Sequence, residues 1–247
     1  MNYTESYWNG FRRIDFMFED RNAILVFPDE NNATTHWLLK TEYFDEFPEL
    51  ELELIKQGYH LAYVQNINRW GLKEDLDLKK RFRDFLVTEF NLYKKCIPVG
   101  MSCGAIFSIK LAGMYPEMVS VLYIDAPVIN ILSLLAMGNK TTDQEAEEIY
   151  QALSSNSSQM ISYREHPLDF LPNILANNIP TCLVYANQDY SVDYTENADL
   201  VKAAYAKTKI PFCWFEKDGF GHHPHGLQGL NMQEQQTVIQ FLLDNDR

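Results

Sequence analysis

The chain alternates between short apolar runs and longer stretches in which apolar residues recur at helical spacing. The apolar runs predict strands at 22–28, 59–65, 96–101, 119–125, 180–186 and 211–216. The longer stretches predict helices at 38–57, 73–90, 103–115, 194–207 and 232–244. Residues 11–20 alternate between apolar and polar positions, which favours an edge strand paired as a hairpin.

The order of these elements predicts the fold class, an α/β domain built on a doubly wound, mostly parallel sheet. Strands separated by helices of this length cannot pair as hairpins, so they require right-handed crossover connections with helices on both faces of the sheet. Residues 127–178 exceed what one crossover needs and contain helical patterns, so we expect a small helical lid insertion there. We expect residues 1–247 to form a single domain, since no linker-like or repeated segment divides them.

Composition and charge narrow the class of partner. The 247 residues include 21 Lys and Arg against 34 Asp and Glu, a net charge of −13 that disfavours binding to nucleic acid or anionic lipid. The N-terminal sequence lacks the basic and apolar regions of a signal peptide, and no apolar run is long enough to span a membrane. The four cysteines show neither C-x-x-C spacing nor a disulfide framework. We therefore expect a cytoplasmic protein with reduced thiols and neither a membrane nor a nucleic-acid partner.

The run VGMSCGA places Ser102 between Gly100 and Gly104, directly after a predicted strand and before a predicted helix. A serine on so tight a turn takes a strained backbone, and small neighbours let the strand and the helix approach each other. The helix then directs its free N–H groups and the positive end of its dipole toward the site, where a negative oxygen would be stabilised. The motif alone leaves two interpretations open, a nucleophile or a serine that only caps the helix.

Two further side chains favour the nucleophile. Asp189 follows the strand at 180–186 and His222 follows the strand at 211–216, and the carboxyl ends of parallel strands meet at one edge of a sheet. A serine nucleophile needs a base that removes its proton and an acid that orients the base. We therefore predict Ser102, His222 and Asp189 as the catalytic residues.

Neighbouring residues leave an alternative for each partner. Asp193 competes with Asp189 as the acid, although it lies farther from its strand and suits the N-cap of the next helix. His223 competes with His222 as the base. His225 is expected to be a loop residue that forms a hydrogen bond.

The histidines at 222–225 also suggest a metal site, with Glu216 and Asp218 nearby. Protein metal sites mostly draw their ligands from helices or from C-x-x-C spacing, and Pro224 prevents a helix here. We therefore expect no metal and no cofactor. The thiol of Cys103 lies at the start of the helix rather than at the turn, so we expect it to be buried and inert.

A negative oxygen in the site needs two N–H donors. The backbone N–H of Cys103 is the first predicted donor, because it begins the helix next to the serine. We expect the second donor in the loop after the strand at 22–28, near Asp29. Trp37 and Trp70 follow predicted strands, so they are candidates for bordering the substrate cleft, although core packing is the common fate of tryptophan.

The segments VGMSCGA, YANQDYSVDYTEN and GFGHHPHGL resemble the nucleophile, acid and histidine segments of the α/β-hydrolase superfamily, in a small bacterial esterase-like or prolyl-oligopeptidase-like subgroup. The order Ser, Asp, His along the chain is the order of that superfamily. The resemblance covers nearly the whole chain. It implies that Glu42 is a candidate for binding a substrate hydroxyl, with a solvated helix face as the alternative. The subgroup often has Arg where this chain has Cys103, so we expect substrate contacts at this position to differ from those of the subgroup.

The residues and the resemblance together predict a serine hydrolase that cleaves a carboxylic ester of a small molecule through an acyl-enzyme. Acylated sugars are one candidate substrate class. Peptides and thioesters are alternative substrates for the same three residues. A non-catalytic binding protein on a hydrolase scaffold is a third alternative, which we would expect to lack one of the three side chains. The sequence does not specify an oligomeric state.

Overall fold

A computed structural model describes residues 2–135 and 142–247. Within these residues, nine strands form one sheet: β1 (Tyr3–Trp8), β2 (Phe11–Phe18), β3 (Arg21–Val26), β4 (Trp37–Lys40), β5 (His60–Val64), β6 (Ile97–Met101), β7 (Leu122–Asp125), β8 (Thr181–Ala186) and β9 (Phe212–Lys217). Their order in the sheet is β1-β2-β3-β5-β4-β6-β7-β8-β9. The pairs β1–β2, β2–β3 and β3–β5 are antiparallel. The remaining pairs, β5–β4, β4–β6, β6–β7, β7–β8 and β8–β9, are parallel. The predicted mostly parallel sheet is confirmed.

The α-helices of the described residues are α1 (Glu49–Lys56), α2 (Lys73–Phe90), α3 (Gly104–Met114), α4 (Ile131–Leu135), α5 (Asp143–Ala152), α6 (Ser157–Met160), α7 (Pro167–Ala176), α8 (Ala198–Tyr205) and α9 (Met232–Asn245). Helices α2, α3, α7 and α8 share one apolar core with the sheet. Helices α1 and α9 share a second core with it. The sheet is therefore covered on both faces, as the predicted doubly wound architecture requires.

Alternation along the strands divides their side chains between the two cores. Leu25 and Leu39 lie in the core under α2 and α3. Val26 and Leu38, their neighbours in sequence, lie in the core under α1 and α9. Successive side chains of a strand point to opposite faces, so a strand that is buried on both sides is apolar throughout.

The segment 38–57 does not form the single helix that its pattern predicts. Trp37–Lys40 is the strand β4, paired in parallel with both β5 and β6, and only Glu49–Lys56 is helical. A short strand that is buried along its whole length shows no alternation, so its pattern does not distinguish it from a turn of helix. The buried Nζ of Lys40 lies 2.5 Å from Oε1 of Glu51, and this ion pair ties β4 to α1.

The helices between β7 and β8 divide into two groups. Helix α7 packs on α3, where Asn173 donates a side-chain hydrogen bond to the main-chain oxygen of Gly113, so α7 belongs to the layer that covers the sheet. Helices α4, α5 and α6 instead contribute to a third apolar cluster, which also contains Trp70 and Ile106. Of the predicted insertion 127–178, helices α4 and α5 contribute residues to the wall of the site described below, and α6 packs behind them through Met160. Residues 136–141 of that insertion lie outside the described residues.

Two further observations concern the membrane and the thiols. Within residues 2–135 and 142–247, no helix is both long and apolar enough to cross a membrane. Cys96, Cys103 and Cys182 are buried free thiols, and Cys213 is a half-buried one. The cellular compartment stays a prediction.

The close approach of β6 to α3 predicts that Gly100→Ala destabilises the protein. A Cβ at Gly100 would lie 2.3 Å from Oγ of Ser108, 2.7 Å from Cα of Ala105 and 2.8 Å from the main-chain oxygen of Gly104. Two of these atoms are backbone, so the strand and the helix must separate. We expect a loss of about 1–3 kcal/mol in the free energy of unfolding, measured by urea denaturation.

Gly221→Ala is the matched control for this prediction. A Cβ at Gly221 would meet only the main-chain oxygen of Gln188, at 3.7 Å. We expect a change below about 0.5 kcal/mol for this variant. Equal losses in the two variants would contradict the steric account of Gly100.

Candidate active site

Side chains that follow three different strands meet at the carboxyl edge of the parallel sheet. Ser102 follows β6, Asp189 follows β8 and His222 follows β9. Oγ of Ser102 lies 2.9 Å from Nε2 of His222, and Nδ1 of His222 lies 2.7 Å from Oδ2 of Asp189. The three residues predicted from the sequence therefore form one hydrogen-bonded chain in the structure.

The backbone of Ser102 is strained. Its φ of +52° lies in the left-handed region, which is unfavourable for a residue with a Cβ. The turn is held by the N–H of Ser102, which donates to the main-chain oxygen of Asp125 at 2.9 Å. The carbonyl of Ser102 accepts from the N–H groups of Ala105 at 3.1 Å and Val128 at 3.2 Å. These bonds hold the serine side chain at the sheet edge.

Asp189 is fixed by its own loop. Its Oδ1 accepts hydrogen bonds from the backbone N–H groups of Ser191 and Val192, each at 2.9 Å, which leaves Oδ2 for His222. Asp193, the alternative acid, accepts from the N–H of Thr195 at 2.8 Å and caps a short turn at the surface. The structure thus brings Asp189 to the histidine and leaves Asp193 in the capping position.

The contacts of His222 determine where its proton lies. Nδ1 faces the carboxylate of Asp189, which only accepts, so the ring carries its hydrogen on Nδ1. Nε2 then has a free lone pair that accepts the hydroxyl proton of Ser102. Only 16% of the His222 side chain is exposed, so little water competes for these bonds.

The other two histidines of the loop make different contacts. His223 stacks on Phe47 with ring centroids 5.5 Å apart, and burial together with the neighbouring imidazoles lowers the pKa of His223. His225 is buried, and its Nδ1 lies 3.4 Å from Oδ1 of Asp125. Within the described residues, His222 is the histidine that contacts Ser102.

The carboxylates near the histidine loop bind neutral side chains. Glu216 accepts from the hydroxyl of Tyr185 at 2.6 Å and from the amide of Asn187 at 2.8 Å. Asp218 accepts from the same amide at 2.7 Å. In the part of the chain that the structure describes, no group of three or more His, Cys, Asp or Glu side chains is arranged to hold a metal ion.

Asp29 lies far from the position expected for an oxyanion donor. β3 runs antiparallel to β5, so Val26 at the carboxyl end of β3 pairs with Leu61 near the amino end of β5. Asp29 follows that end and therefore lies at the edge of the sheet opposite Ser102, and the prediction for Asp29 is wrong. The error follows from treating β3 as one of the parallel strands.

Trp37 also lies away from the site. It begins β4 at the amino edge of the parallel strands, is fully buried, and donates from Nε1 to the main-chain oxygen of Tyr93 at 2.8 Å. Trp37 is a core residue, so core packing is the correct interpretation and its candidate role at the cleft is wrong. The cause is β4, a strand that the sequence pattern did not reveal.

The loop that does reach Ser102 is 41–47, which follows β4. Tyr43 in this loop has a φ of +54° and lines the cavity beside Ser102. Thr41 anchors one end of the loop to β6 and α3 through its hydroxyl, and Nζ of Lys40 donates to the main-chain oxygen of Glu46 at 3.2 Å. Sequence reasoning missed this loop because it missed β4.

The two remaining candidates are Trp70 and Glu42, of which Glu42 belongs to this loop. Trp70 is buried in the cavity wall, and its Nε1 donates to Oε1 of Glu148 at 2.9 Å. Glu42 is half-buried and accepts a hydrogen bond from the side chain of Asn66, and it is absent from the cavity wall within the described residues.

A cavity of about 520 Å³ opens in front of Ser102. One part of its wall is apolar, formed by Trp70, Met101, Val128, Leu134, Ile149 and Val192. Another part carries charge, from Glu46, Arg69 and Glu145. Nε and Nη2 of Arg69 donate to the two carboxylate oxygens of Glu148 at 3.1 Å and 3.0 Å, which ties α5 to the loop after β5.

Comparison with known proteins bears on the fold. No protein-family model matches the sequence, and no curated protein matches it. Among solved structures, a Mycobacterium tuberculosis puromycin-hydrolyzing peptidase superposes with a TM-score of 0.73 at 12% identity, over 92% of this chain and 37% of that one. This chain thus spans little more than a third of the peptidase.

Two solved structures match over almost their full length. The S-formylglutathione hydrolase of Staphylococcus aureus has a TM-score of 0.65 at 14% identity, over 96% of this chain and 98% of that one. Est1E from Butyrivibrio proteoclasticus has a TM-score of 0.65 at 15% identity, over 99% of both chains. The chain has the α/β-hydrolase fold.

In the α/β-hydrolase fold, the residue after the nucleophile turn begins the helix behind it. Here that residue is Cys103, whose main-chain oxygen accepts the first helical bond of α3, from Ile106 at 3.0 Å. The first N–H groups of a helix have no partner within it, so they are free to face the cavity. Burial raises the pKa of the Cys103 thiol to about 11.

The environment of Cys103 predicts that its thiol is alkylated slowly. With a pKa of about 11, only about one thiol in a thousand is ionised at pH 8. We expect iodoacetamide to leave Cys103 unmodified in the native protein at pH 8 and to modify it in urea, as measured by peptide mass spectrometry. The half-buried Cys213 is the internal control and is expected to react earlier. Rapid native modification of Cys103 would contradict this account.

Proposed function

We propose that the protein is a serine hydrolase that cleaves a carboxylic ester of a small molecule. The observation that carries the proposal is the chain of hydrogen bonds from Asp189 through His222 to Ser102, which ends at a serine on a strained turn beside a cavity. A serine that only caps a helix needs neither an imidazole at its oxygen nor a carboxylate behind that imidazole. The arrangement matches what a serine nucleophile requires.

In the proposed mechanism, Oγ of Ser102 attacks the acyl carbon while Nε2 of His222 takes the hydroxyl proton. Asp189 stabilises the imidazolium that forms and keeps its orientation. The same proton passes to the oxygen of the leaving alcohol, which departs and leaves an acyl group on Ser102. His222 then takes a proton from water, whose oxygen attacks the acyl carbon. The bond from that carbon to Oγ of Ser102 breaks, and the proton on His222 returns to Oγ, which frees the acid and the serine.

The negative oxygen of the tetrahedral intermediate needs two N–H donors. In the proposed mechanism the backbone N–H of Cys103 is the first donor, and the backbone N–H of Tyr43, rather than that of Asp29, is the second. Support for Tyr43 comes from its position in the cavity wall and from its positive φ, which turns the loop 41–47 at this point. Fixed donors of this kind need no reorganisation as the charge develops.

The cavity wall supports a small ester with one apolar and one polar part. Its volume of about 520 Å³ is that of an ordinary small-molecule site. The apolar wall around Trp70 and Ile149 suits an acyl group, and the charged wall around Arg69 and Glu145 suits the hydroxyls of an alcohol such as a sugar. Peptides and thioesters are the alternative substrates. The structural likeness to a peptidase is a reason to test peptides.

The proposed mechanism predicts how single variants change the hydrolysis of short p-nitrophenyl esters. Ser102→Ala removes the nucleophile, so kcat falls by about 10⁴-fold or more. Asp189→Asn presents an N–H to Nδ1 of His222 and favours the wrong tautomer, so kcat falls by about 10²–10⁴-fold. His223→Gln separates the two candidate bases and should retain most of the activity.

Ser158→Ala, an exposed serine on α6, is the matched control and should behave as the wild type. Ester hydrolysis that survives Ser102→Ala would refute the mechanism. A panel of acylated sugars, acyl thioesters and aminoacyl amides then separates the substrate classes by kcat/KM. Absence of turnover on the whole panel by folded wild type would instead favour a non-catalytic binding protein.

A further inference from the structure

Asp125, the last residue of β7, contacts both sides of the catalytic arrangement. Its main-chain oxygen accepts from the N–H of Ser102 at 2.9 Å, which holds the nucleophile turn. Its side-chain Oδ2 accepts from the N–H of Gly226 at 2.7 Å, which holds the loop that carries His222. One residue thus spans the gap between the nucleophile and its base.

Lys217, the last residue of β9, adds a second attachment to the same loop. Its Nζ lies 3.1 Å from Oδ2 of Asp125 and donates to the main-chain oxygen of Pro224 at 2.9 Å. The exposed side-chain fractions of Lys217 and Asp125 are 0% and 2%. The loop after His222 is therefore tied at two main-chain positions to a buried ion pair.

A buried ion pair is costly unless its geometry is good and its remaining bonds are made. Here the carboxylate of Asp125 has Lys217, Gly226 and His225 around it. Burial opposes the ionisation of this carboxyl, but Lys217 and His225 hold the pKa of Asp125 below its usual range. The charge is thus retained inside the protein to hold the loop.

The contact with His225 extends the restraint to the catalytic ring. Nδ1 of His225 lies 3.4 Å from Oδ1 of Asp125, and the His225 ring packs at 89° against the ring of His222, with centroids 4.9 Å apart. A shift of His225 would therefore move or free the imidazole beside it. Neither Asp125 nor Lys217 is among the described residues of the cavity wall, so neither is expected to touch substrate.

We propose that Asp125 and Lys217 form a positioning pair that sets the distance and orientation of His222 relative to Ser102. The inference rests on the proposed function, because it assigns the pair to the geometry of proton transfer. An error of about 1 Å in such a geometry costs about 10²-fold in rate. The pair acts on the chemical step and leaves substrate binding unchanged.

The test compares Asp125→Asn with Asp246→Asn. Asp246 is also buried and carries one imidazole partner, His36, at 2.7 Å, but it lies near the C-terminus, away from the cavity wall. We expect Asp125→Asn to lower kcat for p-nitrophenyl esters by about 10–100-fold with KM within about twofold of wild type. Asp246→Asn lowers the melting temperature but leaves kcat unchanged.

The double variant Asp125→Asn/Lys217→Met separates positioning from stability. In Asp125→Asn the buried Lys217 has lost its carboxylate partner, which destabilises the protein. The double variant removes that unpaired charge, so its melting temperature should be higher than that of Asp125→Asn. Lys217→Met also removes the bond from Nζ to the main-chain oxygen of Pro224, so the loop remains unrestrained and kcat should stay low. Recovery of kcat together with the melting temperature, or an equal loss of kcat in Asp246→Asn, would overturn the proposal.

A readout independent of turnover keeps this test apart from the proposed function. We expect the Nδ1 proton of His222, which lies in the 2.7 Å contact with Asp189, to give a far-downfield proton resonance that His222→Gln abolishes. We expect Asp125→Asn to shift or broaden this resonance and Asp246→Asn to leave it unchanged. An unchanged resonance in Asp125→Asn would overturn the positioning pair, whereas failure of wild type to hydrolyse any ester would overturn the proposed function alone.

Discussion

The candidate active site depends on one strained turn, at which β6 passes into α3 with Ser102 at a φ of +52°. A residue with a Cβ stays in this conformation only if its surroundings leave no relaxed alternative. Those surroundings are the close contact that Gly100 permits with α3 and the hydrogen bond from Ser102 to the main chain of Asp125. The strain holds a hydroxyl at the sheet edge, where the loops after β8 and β9 bring the other two residues.

Buried charges hold the loops on either side of this turn. Lys40 and Glu51 fix the loop 41–47 on one side. Asp125 and Lys217 fix the loop after His222 on the other. Each lysine donates both to a carboxylate and to a main-chain oxygen, so each pair restrains backbone rather than merely neutralising charge. Ionic bonds inside the apolar layers thus restrain the loops on both sides of the candidate site.

Sequence reasoning found the three catalytic candidates because each follows an apolar run long enough to identify as a strand. Carboxyl ends of parallel strands share one edge, so chain order placed Ser102, Asp189 and His222 together. Spacing left Asp193 and His223 as alternatives, which the contacts in the structure separate. The same reasoning failed at Trp37–Lys40, because a four-residue strand buried on both faces has no period. That one omission misplaced Trp37, and the reversed direction of β3 misplaced Asp29. The contact between Arg69 and Glu148 joins residues 79 apart, for which no local pattern exists.

The central claim is that Ser102 is a nucleophile activated by His222. Labelling of the native protein with a fluorophosphonate, followed by mass spectrometry of its peptides, tests this claim most directly. The account predicts one adduct per chain, on Ser102, and no adduct after the protein is unfolded. A folded protein that gives no adduct, or an adduct on another residue, would contradict it.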